Sequence, residues 1–124
     1  MHIYSFEKLE VWQESRTLVK LIYDITYNYL PKDERFSLSD QMKRAVISVS
    51  SNIAEGTSRF SAKEKIRFIE MSFGSLMELY SQLLLCVDLN YFDENELCRI
   101  KPIVFKISNL LNSLKAAYSK HLNR

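Results

Sequence analysis

Glycine and proline are scarce in this chain, two of each in 124 residues. Few turns can be forced with so little punctuation, so long helices are the first expectation. Long hydrophobic runs are missing too. The longest, "LLLCV" at Leu83 to Val87, falls far short of the roughly 20 apolar residues that span a bilayer, and no membrane partner is expected. The opening "MHIYSFEKLEVWQ" has no basic stretch followed by an apolar one, so no secretion signal is read and a cytoplasmic location is expected. Cysteine is limited to Cys86 and Cys98, with no histidine beside either. Both are read as reduced thiols, with no metal site and no cofactor.

What is present is a globular composition: 47% hydrophobic and 26% charged residues, enough to build a core without disulfides. The length suits one domain, residues 1–124. Apolar residues recur at three-and-four spacing in four segments, about 6–29, 38–56, 62–90 and 94–120. Pro31 stops the first. Ser37 and Asp40 are placed to serve the first amides of the second. Gly56 fits the position just past its end, where positive φ is common. "SAKE" at Ser61 to Glu64 and "DENE" at Asp93 to Glu96 read as capping boxes for the third and fourth helices. On the third helix Ile66, Ile69, Phe73, Leu76, Met77, Tyr80, Leu84 and Val87 form the expected core stripe. Pro102 lies about two turns into the fourth helix, where a kink or break is expected. Four amphipathic segments with short connections predict an all-α fold, an up-down-up-down four-helix bundle.

One stretch departs from this pattern. "VISVSSNIAEGTS", Val46 to Ser58, holds a single charge, Glu55. At 100° per residue, Gln41, Arg44, Ser48, Asn52 and Glu55 form a polar stripe beside the core face. The outer face has no charge after Arg44, although a solvated helix face is normally charged. On the third helix Phe68, Ser72, Ser75, Leu79, Gln82 and Cys86 make a second stripe, and Ser72, Gly74 and Ser75 suit close helix approach. These faces predict a cover other than water: a second copy of the chain, a nucleic-acid backbone, or a substrate. The substrate reading is the weakest, because a lone glutamate without a paired carboxylate, histidine or nucleophile supports no acid–base or covalent scheme. No catalytic residue is assigned. Gln41, Arg44, Ser48, Asn52, Glu55, Ser75 and Glu78 are the candidate polar network, structural or between subunits.

The segments "FEKLEVWQES", "LSDQMKRAVISVSSNIAEGTSRFSAKE" and "GSLMEL" together make a specific pattern. In "Q-x-x-R-A-x-x-S" followed by "N-I-A-E-G" the chain resembles the 23S rRNA intervening-sequence proteins. The resemblance covers roughly Phe6 to Tyr91. It implies a left-handed up-down four-helix bundle, a homopentamer with a central pore, and no established enzymatic activity. Relatives that accompany retroelements bind nucleic acid and associate with a reverse transcriptase, so RNA or DNA, and a reverse transcriptase or another protein, are the partners the resemblance implies beside the chain itself.

Net charge is only +2, but it is unevenly spread. Through Glu96 there are 11 basic and 15 acidic residues; from Cys98 on there are six basic residues and no acid. A nucleic-acid surface needs concentrated positive charge. Two candidates exist: Arg59, Lys63, Lys65 and Arg67 at the corner after the second helix, and Lys101, Lys106, Lys115 and Lys120 on the fourth, with Arg124 in the tail. Phe60 is the ring available for stacking at the corner, whereas Phe68 is expected to be packed. Contacts there would be to the backbone, since nothing is placed to read base edges. The alternative is a structural or protein-interaction scaffold that binds no nucleic acid.

Overall fold

The structure is a computed structural model and describes residues 1–122. A short 3-10 turn, Ser5–Lys8, precedes four helices: α1 (Glu10–Tyr29), α2 (Leu38–Ser58), α3 (Ala62–Asp88) and α4 (Glu94–Ser119). There is no strand among the described residues. α2 lies on α3, α3 on α4, and α1 against both α2 and α4. Together the four helices form a bundle. Individual contacts join three of these pairs. Met42 meets Cys86 and Val49 meets Ser72, Glu70 meets Lys115, and Glu14 and Tyr29 meet Lys106 and Glu96. Between α2 and α3, and between α1 and α4, residue numbers rise on one helix as they fall on the other, so these two pairs are antiparallel.

The core follows helical periodicity, although on α1 the buried residues are Val11, Ser15, Leu18, Ile22, Ile25 and Thr26, and Tyr29 is exposed. Leu18 and Ile22 on α1, Met42, Val46, Val49 and Ile53 on α2, Leu76, Leu79 and Leu83 on α3, and Ile100 and Ile107 on α4 are fully buried. Each such side chain contributes about 1.5–3 kcal/mol on leaving water. On α3 the buried side differs from the expected one. It is centred on Phe68, Ile69, Ser72, Leu76, Leu79, Leu83 and Cys86, while Met77 and Leu84 are exposed. α3 has apolar residues on more than one face, so period alone did not say which face would meet α2.

The caps are partly as expected. Ser61 accepts from the Glu64 amide and Asp93 from the Glu96 amide, both at 3.1 Å. Leu30 is extended before Pro31 and ends α1. Ser37 makes no side-chain cap; the Glu34 carboxylate takes the Leu38 amide instead, at 3.4 Å. Gly56 is not a terminator. It lies buried inside α2, which runs two residues further. A Cβ there would come within 2.9 Å of the Phe68 Cβ, so the glycine serves close approach of α2 to α3. Positive φ falls instead on Asn90, at 60°, a residue type that tolerates this geometry after a helix. α4 is unbroken at Pro102. Pro102 and Cys98, four residues earlier, are both exposed, so the carbonyl that loses its helical donor can turn to water.

Candidate functional site

The polar stripe of α2 lies along the α2–α3 seam. Ser48 and Ser75 share a hydroxyl hydrogen bond of 2.8 Å. Asn52 Nδ2 donates to the Ser48 carbonyl and Oγ at 2.9 and 3.0 Å. Below them the buried Ser72 hydroxyl donates to the Val49 carbonyl at 2.8 Å. Small side chains let the two backbones come close enough for these bonds. The polar stripe is therefore used largely within one chain, while Ile47 and Ser51 on the uncharged outer face stay exposed. The ends of the stripe behave differently. Arg44 is solvated and pairs with Asp40 one turn back, at 2.9 Å. Glu55 is exposed and pairs with Arg59 at 3.1 Å, so it needs no partner from another helix. Gln41 is exposed. Glu78 accepts weakly from Gln82 Nε2 at 3.4 Å, and Gln82 Oε1 is buried without a partner among the described residues.

Of the chemistry first weighed for Asn52 and Glu55, the geometry supplies only local ties: Asn52 to Ser48 one turn back on α2, and Glu55 to Arg59 just past the helix end. Among the described residues no group of three potential metal ligands occurs. Burial pushes the Cys86 thiol up to about 11, far from a reactive thiolate at neutral pH.

The corner after α2 brings its basic residues together, with their charge partly used. Arg59 and Arg67 set their guanidinium groups 4.5 and 4.8 Å from the Phe68 ring. Arg59 is paired with Glu55 and Arg67 with Glu64, and the Arg67 bond holds the Glu64 carboxyl below its usual range. Lys65 donates to the Thr57 carbonyl at 2.9 Å and sits 5.3 Å from the Tyr118 ring. Lys63 is exposed. Phe60 is fully exposed at 104% and Phe68 is packed at 6%, both as expected. On α4, Lys106 pairs with Glu14 and Lys115 with Glu70, while Lys101 and Lys120 are exposed without an ion pair among the described residues. The Glu14 carboxylate raises the Lys106 ammonium. Arg124 lies outside the described residues.

Two surfaces were not singled out in the sequence. Between α3 and α4 a groove of about 660 Å³ is lined by Met77, Tyr80, Lys101, Pro102, Val104, Phe105 and Ser108. Phe105 is 67% exposed, and Leu84, on the same side of α3 as Met77 and Tyr80, is exposed as well. The signal was available in α3's excess of apolar faces, where Met77, Tyr80 and Leu84 are expected in the core, and in the aromatic at 105, which no expected stripe includes. The second surface is the end of the bundle where α1 runs into α2. There the Tyr91 hydroxyl donates to Glu34. This bond holds the Glu34 carboxyl below its ordinary value and pushes Tyr91 up to about 12. The loop that carries Lys32 and Arg35 is thereby tied to the start of the α3–α4 connection.

Comparison with known proteins gives a consistent answer. The family model described as 23S rRNA-intervening sequence protein matches residues 7–113. A crystal structure of a protein of unknown function from the S23 ribosomal protein family of Bacteroides thetaiotaomicron is similar, with a TM-score of 0.76 and 23% identity. The match covers 85% of this chain and 97% of that one; at such identity it speaks for the fold alone. No curated protein matches. No helix among the described residues is long and apolar enough to cross a membrane.

Proposed function

The chain belongs to the 23S rRNA-intervening sequence protein family, and from that premise we propose that it acts without enzymatic chemistry, as a self-associating helical module of the cytoplasm. One observation carries this reading: the apolar groove between α3 and α4, with Phe105 standing out of it. Apolar side chains gathered on one surface favour a cover other than water. The charge around it favours a second copy as that cover. From Phe68 to Cys98 every charged residue is acidic, and from Arg99 onward every one is basic. One chain thus supplies both signs for a contact between copies. Five copies is the stoichiometry that the resemblance implies, and an odd closed ring needs head-to-tail contacts between unlike surfaces. Such a ring would give a further protein, a reverse transcriptase among the candidates, a repeated surface to hold.

Sedimentation of the wild-type chain at tens of micromolar tests the reading. The expected result is a species several times the monomer mass. Met77→Lys combined with Phe105→Glu should reduce it toward the monomer with helicity unchanged, because both side chains are already in water. A wild-type monomer would end the proposal.

A second reading, nucleic-acid binding at the corner, is favoured by Arg59 and Arg67 flanking Phe68 beside the exposed Phe60. Contacts to phosphate would then be repeated by the ring and add by avidity. A gel shift that weakens with salt supports it; no shift at low salt with several nucleic acids removes it.

A further inference from the structure

The end of the bundle where α1 passes into α2 carries a groove of about 510 Å³, lined by Thr26, Tyr27, Leu30, Pro31, Lys32, Arg35, Ser39 and Lys43. None of these residues is acidic. Lys32, Arg35 and Lys43 form no ion pair among the described residues, unlike the two arginines of the corner. Nearby carboxylates are engaged elsewhere: Glu34 with Tyr91 and the Leu38 amide, Asp40 with Arg44. Asp24 and Asp33 are exposed and line no part of the groove. Ser39 is 5% exposed and belongs to the wall. It lies in the first turn of α2, where the helix end adds partial positive charge.

One ring, Tyr27, lines the groove, and two more, Phe36 and Tyr23, stand against its cations from outside the lining. Tyr27 is 88% exposed and Phe36 is 84% exposed. Arg35 lies 4.6 Å from the Phe36 ring, and Lys43 lies 5.2 Å from the half-exposed Tyr23 ring. Rings left in water beside cations that lack counter-charges are the two halves of a single-strand site: phosphates meet the cations and unpaired bases stack on the rings. A duplex hides its base faces and would leave Tyr27 and Phe36 unused. An acidic peptide would use the cations and leave the rings bare.

We infer that this groove binds single-stranded nucleic acid, through phosphate contacts to Lys32, Arg35 and Lys43 and base stacking on Tyr27 and Phe36. The site is separate from the α3–α4 surface assigned to assembly and from the Arg59–Arg67 corner, so it stands or falls without them.

Fluorescence anisotropy on the full chain is the test. The probes are a labelled uridine 12-mer, the same length of thymidine strand, a duplex of that length and a glutamate-rich peptide, each at about 50 mM and 200 mM salt. The single strands should bind, with affinity falling as salt rises. Tyr27→Ala with Phe36→Ala should weaken them by about tenfold or more. Lys32→Gln with Arg35→Gln should weaken them and flatten the salt dependence. All four side chains are exposed, so the variants should keep the wild-type helicity. Arg59→Gln with Arg67→Gln should leave this binding unchanged. The inference is overturned if no single strand binds at low salt, if the duplex binds as well, if the peptide is the preferred probe, or if the aromatic pair is silent. Loss in the corner variant alone would move the site there and leave the corner reading standing.

Discussion

Along α2, helix α3 presents Ser72 and Ser75, and the two helices close on each other through hydroxyls and a glycine. Along α4, the same helix presents Met77 and Tyr80 to Pro102 and Phe105, and a groove is left between them. Charge does not separate the two seams, since Lys101 is the one charged residue lining the groove and the α2–α3 contacts are made by serines. Size and shape do. Small side chains let backbones approach until hydroxyls reach carbonyls across the seam, and nothing remains to cover. Large, flexible or ring side chains hold the helices apart and keep apolar surface in contact with water. The closed seam suits stability within one chain, and the open one suits a contact with another.

Substitutions at matched positions can break this contrast. The largest expected effect is at Gly56. Gly56→Ala places a methyl 2.9 Å from the Phe68 Cβ, and overpacking should outweigh the gain in helix propensity, costing about 1–3 kcal/mol. Chemical denaturation would read it as a lower midpoint at unchanged slope; an unchanged midpoint would mean that α2 and α3 are not in close contact there. Next is Ser72→Ala, which removes the buried bond to the Val49 carbonyl and should cost about 1 kcal/mol in the same measurement. A neutral result would show that the hydroxyl is not part of what closes the seam. The smallest effect has the opposite sign. An added Cβ at Gly74 meets nothing within 4 Å, so Gly74→Ala should stabilise by about 0.5–1 kcal/mol through helix propensity alone. A loss of stability or of oligomer mass there would place a second chain against Gly74 and redraw the boundary of the open surface.

Much of the architecture was legible before any coordinates. Pro31, the two capping boxes at Ser61 and Asp93 and the three-and-four spacing of Leu76, Ile100 or Ile107 act locally, within one or two turns, so a linear reading reaches them. Gly56 was misread because termination and close approach call for the same residue, and only the neighbour decides which applies. Met77 and Leu84 were assigned to the core because an apolar residue at helical spacing has no label for the face it will occupy. The basic residues were visible, but not their pairing. Glu55 with Arg59 is one turn apart and readable in principle, whereas Glu70 with Lys115 spans helices far apart in the chain. Lys32, Arg35 and Lys43 passed unnoticed because they are scattered over a loop and a helix, and only folding sets them around Tyr27.

The sequence by itself determined four helices, where three of them begin or end, the family, and a composition without an evident catalytic set. These depend on local backbone preferences and on residue patterns that need no partner. The tertiary structure decided which face of α3 is inside, which seam is closed, and which cations lack a counter-charge. Those are properties of pairs of residues distant in sequence, and they exist only once packing has brought the helices together.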